Sequence, residues 1–284
     1  MNTISRKHDL FIPDGLAEDE AIGRTTHLGI GAHQDDLEFM AFHGIAECFY
    51  STEKWFGGIT CTDGAGSSHD GPYDGVSPSE LSAIRMQEQC TAALAGRYSF
   101  MSQLCYPSNE ISRPIGSPLV SDLVSLFCRM KPSIIYTHNP ADKHETHLRV
   151  LVAVLEALRE VPPAHRPAKL FGCEMWRSLD WMEDGDKVVQ DLGGHGHLAS
   201  ALNGLFDSQI AGGKRYDLAV AGRRRANATL LDSHSGDALT EAAFVMDLSP
   251  LIGVASSDLV DFTLGHVDRF REDIRTKLER TLTK

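Results

Sequence analysis

Two short stretches gather side chains that handle protons and metals. Gly31-Ala32-His33-Gln34-Asp35-Asp36 supplies one histidine and two carboxylates. His138-Asn139-Pro140-Ala141-Asp142-Lys143-His144-Glu145-Thr146-His147 supplies up to three histidines and an aspartate. A catalytic zinc takes three protein ligands, two His and a carboxylate being one such set, and keeps its fourth position for water. A carboxylate beside the ligands but not bound to the ion then serves as general base. Each stretch alone also has a bland reading. Asp35 and Asp36 suit the N-terminus of any helix, and a single strand-end His is commonly just a hydrogen-bonded polar residue. The occurrence of both together favours the chemical reading.

The elements around them must bring the two stretches to one place. Strand-like runs fall at 27–32, 55–60, 103–106, 133–138 and 169–175, with helical patterns at 37–50, 78–95, 118–130 and 147–160. Ser77-Pro78-Ser79-Glu80 is a capping-box start with Pro at the first helical position, and Ser117-Pro118 repeats the start signal. Leu148, Leu151, Val152, Leu155 and Leu158 form an apolar stripe that Pro162-Pro163 brings to a stop. This alternation predicts an α/β fold, a Rossmann-like and mainly parallel sheet with helices on both faces. Ligands are expected at the C-terminal ends of its strands. The two stretches directly follow the first and fourth strands. Residues 1–25 read as an irregular lead-in. The less regular part, 176–284, holds Gly193-Gly194, Gly212-Gly213, Arg223-Arg224-Arg225 and an amphipathic helix over 258–282. It reads as an elaboration of a single domain spanning 1–284, shaping a pocket on a 26–175 core.

Composition narrows the partners. The 284 residues are 42% hydrophobic, with 27 Lys and Arg against 39 Asp and Glu, a net charge of −12, and 13 His. That is ordinary globular usage, and no basic surplus exists to bind nucleic acid or an anionic membrane. The first 15 residues lack the apolar core of a signal peptide. The most apolar stretch, 148–158, is short and broken by Arg149 and Glu156, so no membrane span is expected. Six widely spaced cysteines without a CxxC suggest reduced thiols. A cytoplasmic location is the expectation.

On these residues the sequence resembles the LmbE-like, or PIG-L, zinc-dependent N-deacetylases. Ala32-His33-Gln34-Asp35-Asp36 matches the family's A-H-P-D-D-E motif, with Gln34 in place of Pro and Leu37 in place of Glu. His144-Glu145-Thr146-His147 keeps both histidines of H-P-D-H. Thr62-Asp63-Gly64 and the pair Arg85 and Glu88 in an R-x-x-E pattern are further matches, and the stretch 227–235, closing on Ser233-His234-Ser235, resembles the family's late helix that ends in H-x-S. The likeness covers roughly 26–175. It implies that His33, Asp36 and His147 bind one Zn2+ per chain, another divalent ion such as Fe2+ being the alternative. It implies Asp35 as the general base. His144 would sit beside the substrate carbonyl, stabilising the oxyanion or protonating the leaving amine. Asp63 and Arg85 would lie on the substrate side, Arg85 having the alternative of an exposed helix charge.

The family acts on small-molecule amino-sugar substrates, N-acetylglucosamine conjugates among them, and homo-oligomers are an open expectation. Thr146 lacks the carboxylate of H-P-D-H, so a partner for the adjacent ligand is either lost or supplied by Asp142 or Glu145. Trp176, at a strand end, reads either as a sugar-stacking platform or as a core aromatic. Other signals are discounted. Gly64-Ala65-Gly66 has His69 where a dinucleotide-binding loop needs its third glycine, and no G-x-S-x-G elbow exists. His195-Gly196-His197 reads as a flexible loop, and the arginine triplet as a charged helix face. Two competing readings stand: an Fe(II) oxygenase with the same ligand set, and a silent carbohydrate-binding member of the fold.

Overall fold

The computed structural model describes residues 8–254 and 258–283. In chain order its elements are β1 (Asp9–Phe11), α1 (Glu18–Gly23), β2 (His27–Gly31), α2 (Asp36–Met40), α3 (Phe42–Phe49) and β3 (Phe56–Thr62). They continue with α4 (Pro78–Ala95), β4 (Phe100–Tyr106), α5 (Pro118–Phe127), β5 (Ile134–His138), α6 (Glu145–Glu160) and β6 (Lys169–Cys173). The last six are β7 (Lys187–Asp191), α7 (Gly196–Asn203), α8 (Asp207–Ile210), α9 (Tyr216–Thr229), β8 (Ala242–Asp247) and α10 (Asp258–Leu282).

One eight-stranded sheet runs β1-β4-β3-β2-β5-β6-β8-β7. The five central strands are parallel, and every residue of β2 and β3 is buried, as strands covered on both faces require. One core places Ile22 of α1 with α5 and α6 on one face. The other places α2, α3 and α7 on the opposite face. From β2 the chain winds out through β3 and β4, then returns to β5 on the other side. The order therefore reverses between β2 and β5, and a crevice opens beyond their carboxyl ends, where ligands bind in open α/β sheets.

The helix starts follow the sequence signals closely. Ser77 Oγ accepts the Glu80 N–H at 3.3 Å while Glu80 Oε2 accepts the Ser77 N–H at 3.0 Å, a complete capping box for α4. Elsewhere the structure corrects the expectations. Residues 1–7 of the lead-in lie outside the described residues, and 8–25 form regular elements: β1 pairs antiparallel with β4 at the sheet edge, and α1 packs Ala21 and Ile22 inward. The helix expected over 37–50 breaks at Ala41 into α2 and α3. The less regular C-terminal part contributes β8, which pairs antiparallel with β6, and β7, which pairs antiparallel with β8. Gly196 begins α7, so His195-Gly196-His197 is a helix start rather than a loop.

The arginine triplet is a solvated face only at Arg225. Arg224 is buried, and its Nη2 donates to the carbonyls of Glu38 and Phe39 at 2.9 and 3.1 Å, closing the end of α2. Its guanidinium lies 4.6 Å from the Phe42 ring centroid, and burial pushes its pKa down to about 10. Arg223 donates to the Met175 carbonyl, and Arg225 faces Glu241 at 3.5 Å. Among the described residues, no helix is long and apolar enough to cross a membrane. Replacing Arg224→Leu strands two buried carbonyls, so denaturant unfolding is expected to show a loss of about 1–3 kcal/mol.

Candidate metal centre

The loop between β2 and α2 is held tightly. Asp36 Oδ2 accepts the His33 N–H at 2.7 Å, and a Cβ on Gly31 would stand only 2.7 Å from the Asp36 Cβ. Glycine is therefore required where the strand turns into the site. Asp35 adopts φ 97, a left-handed conformation that costs a non-glycine residue strain and collects at functional sites. Its backbone N–H is anchored on Gln89 Oε1 at 3.1 Å.

Across the crevice, β5 and the start of α6 supply the second set. His33 Nδ1 and His147 Nε2 lie 3.3 Å apart, and Asp36 approaches them at 3.5 and 3.6 Å through its two oxygens. Zinc bonds of about 2.0–2.1 Å at the tetrahedral angle set ligand atoms about 3.3–3.4 Å apart. The donor set therefore fits a divalent ion. Protonation agrees. Burial pushes His33 down to about 4, keeping its lone pair free. Burial opposes ionisation of Asp36, but the imidazoles of His147, His138 and His33 outweigh it and hold the carboxyl well below the usual carboxylate range. Asp35 goes the other way. Burial, with the charges of Asp36, Glu38 and Glu88, holds it well above that range against the pull of Arg85.

His147 has its partner. Asp142 lies 3.5 Å from its Nδ1, and also accepts the backbone N–H groups of His144 and Trp176 at 3.0 and 3.1 Å. Glu145 instead pairs on the surface with Arg149. The carboxylate that Thr146 lacks is thus provided from within the loop. His144 Nδ1 accepts the Thr146 N–H at 3.2 Å, so the neutral ring carries its proton on Nε2, and burial favours that neutral form.

A cavity of about 510 Å³ is lined by His33, Asp35, Asp36, His144 and His147, together with Arg85 and Trp176. Arg85 is 2% exposed, not a surface charge. It donates to the carbonyls of Gln34 and Gly64 at 2.6 and 3.2 Å and faces Asp35 at 3.5 Å. Trp176 stands on the cavity wall with its ring edge-on to Tyr216 at 5.9 Å. Asp63 is not among the lining residues: its carboxylate caps the Ala65 N–H at 3.1 Å. His234 sits in an exposed turn beyond α9. Glu88 binds the backbone and hydroxyl of Ser208, fixing α8.

Sequence reasoning assigned no role to His138, Lys214 or Tyr216. His138 is fully buried, accepts the Ala32 N–H at 2.9 Å and stacks on His147 at 3.8 Å. With Asp142 and His147 it forms a second group of metal-binding type. Its place at the start of the loop histidines was a usable signal. Lys214 and Tyr216 line the cavity from a segment with no chemical pattern, so no signal pointed to them.

Residues 28–158 match the family model for PIG-L, the GlcNAc-PI de-N-acetylases. This stretch belongs to the PIG-L family. The match thus spans both loops that carry the candidate ligands, β2 to α6. No curated protein sequence matches the chain. The fold is similar to that of the 4-carboxy-2-hydroxymuconate hydratase GalB from Pseudomonas putida KT2440, at 14% identity and TM-score 0.60, covering 79% of this chain and 96% of that one. It is also similar to N,N'-diacetylchitobiose deacetylase from Pyrococcus horikoshii, at 16% identity and TM-score 0.59, covering 78% and 84%. The zinc-inhibited form of teicoplanin deacetylase Orf2 is similar at 16% identity and TM-score 0.57, covering 78% and 98%. At these identities the likenesses establish the fold, and a fold carries several chemistries.

Because Asp142 orients His147, Asp142→Ala is expected to weaken zinc binding about 10–100-fold in a metal titration. Glu145→Ala, on the surface, should leave it unchanged.

Proposed function

We propose that this chain is a metal-dependent hydrolase that removes the acetyl group from an N-acetyl amino sugar or its conjugate, of the N-acetylglucosamine type. The observation that carries the reading is the triangle of His33, Asp36 and His147 donor atoms beside the buried, unligated carboxyl of Asp35. The family's description and the similarity to a chitobiose deacetylase support the substrate class. His33, Asp36 and His147 would hold the ion, with zinc the proposed metal. A divalent ion held there supplies Lewis acidity and a water that ionises near pH 7.

The chain's own residues do the rest. Asp35 takes the proton from the attacking water. Arg85 holds the loop that carries Asp35. His144 presents Nε2–H to the carbonyl oxygen as negative charge develops there. When the carbon–nitrogen bond breaks, the proton held by Asp35 passes to the departing amine, leaving acetate. Trp176 and Tyr216 offer perpendicular aromatic faces to the sugar. A smaller cavity of about 130 Å³, sharing Met175, Trp176 and Tyr216 and continuing past Phe39 and Val220, suits an apolar part of a conjugate. The parallel α/β scaffold is not the all-β one on which Fe(II) oxygenases with this ligand set ride, so hydrolysis is the favoured reading.

The test is acetate release from a panel of N-acetylhexosamine derivatives, with metal content measured on the same protein. Asp35→Asn should retain metal and lose about 10²–10⁴-fold in turnover, the usual contribution of a general base. His147→Ala should lose the metal. Undiminished acetate release by both variants would sink the assignment.

A further inference from the structure

Helix α10, of 25 residues, is divided lengthwise into two faces. One face holds it to its own chain: Leu259 and Phe262 pack on the core, while His266 and Arg269 meet Asp186 at 3.3 and 2.6 Å. All these contacts fall in the first half of the helix. The other face carries Val260, Leu264, Val267, Ile274 and Leu278, which are 60%, 52%, 41%, 42% and 56% exposed. At 100° per residue this seam lies about 140° around the helix from the anchored face. It runs about 27 Å along the axis.

The spacing identifies what covers it. With Arg271 included, the seam steps by 4, 3, 4, 3 and 4 residues, the a/d repeat of a coiled coil rather than the wider stripe of a helix lying on a globule. The occupant is therefore a helix with the same repeat, and a second copy of this chain supplies one. The flanking charges choose the direction. In a parallel pair Arg271 would face its own copy, and Thr263, Phe270 and Lys277 would meet Asp268, Arg275 and Leu282, giving no opposite-charge pair. In an antiparallel pair every layer closes: Leu264 against the partner's Ile274, Val260 against the partner's Leu278, and Val267 against the partner's Arg271. Asp261 then meets the partner's Arg275 twice by symmetry, and Phe270 meets its own copy. The two Asp268 carboxylates approach at the two-fold axis beside the two Arg271 guanidinium groups. That central polar layer specifies register as polar seam residues do.

We propose that α10 joins two copies of this chain in an antiparallel coiled coil through the Val260, Leu264, Val267, Arg271, Ile274 and Leu278 seam. The dimer is isologous, and its free helix halves lie on each other's anchored halves. Sedimentation equilibrium of the full chain over a concentration series should show a monomer–dimer equilibrium. Leu264→Glu with Ile274→Glu should weaken it by at least about 100-fold, the scale of like charges forced across an interface. Circular dichroism should show both proteins folded, because the seam is exposed in the monomer. Asp261→Arg should weaken association, and adding Arg275→Asp should restore it. Direction is read from oxidised cysteine variants in a Cys128→Ser background. Leu264→Cys should cross-link to Ile274→Cys in a mixture, and neither should cross-link to itself. A monomer at every concentration, a dimer indifferent to the double Glu variant, or self-cross-linking of Leu264→Cys would each overturn the proposal. The second of these results would assign the seam to a different helix.

Discussion

Asp36 is the group on which the rest of the site depends. An ionised carboxylate with 1% of its surface exposed is costly unless its environment answers the charge. Here the answer comes from the His33 backbone N–H and from three imidazoles drawn from both sides of the crevice. Meeting that requirement dictates much of the local architecture. Gly31 must lack a side chain so the carboxylate can fold back under β2. The parallel pairing of β2 with β5 must bring His138 up to the Ala32 N–H. Asp142 must turn the His147 ring so that its Nε2, and not its Nδ1, faces Asp36. A divalent ion held among these donor atoms would complete the compensation.

Two adjacent carboxyls are driven in opposite directions by this arrangement. Asp36 faces imidazoles and stays ionised. Asp35, turned away by its left-handed backbone, is left among other carboxyls with Arg85 beside it. Neighbouring acids with divergent proton affinities are how one site obtains both a ligand and a base. The backbone strain at Asp35 is held in place by Gln89 on its N–H and by Arg85 on the preceding carbonyl. Both of these supports come from α4, whose start is the capping box at Ser77. The placement of the Asp35 carboxyl thus traces back to a helix cap some distance along the chain.

Much of the core was legible in the sequence because its signals are local. Alternating strands and helices, a Ser-Pro start and a Pro-Pro stop set out the sheet from β2 to β6. Histidines after β2 and β5 could be assigned to one crevice because doubly wound sheets put those ends together. The misses have physical causes. β1 is three residues long and depends on β4 for its hydrogen bonds, so it carries no pattern of its own. β7, at the sheet edge, and β8, between it and β6, are short strands whose pairing is antiparallel and nonlocal. Arg224 looked solvated because its triplet is charged, whereas its function depends on two carbonyls exposed by the break at Ala41. Asp63 kept the family's spacing, yet its carboxylate is used to close a turn. Lys214 and Tyr216 reach the cavity only through the packing of α8 and α9 against α4.

The central claim is that His33, Asp36 and His147 hold one divalent ion. X-ray absorption spectroscopy of the zinc-loaded protein tests it most directly. The account predicts one zinc per chain with nitrogen and oxygen neighbours at about 2.0–2.1 Å, two of them imidazoles, and no sulfur. A zinc bound through sulfur, or a His33→Ala variant with the same spectrum and stoichiometry, would contradict it.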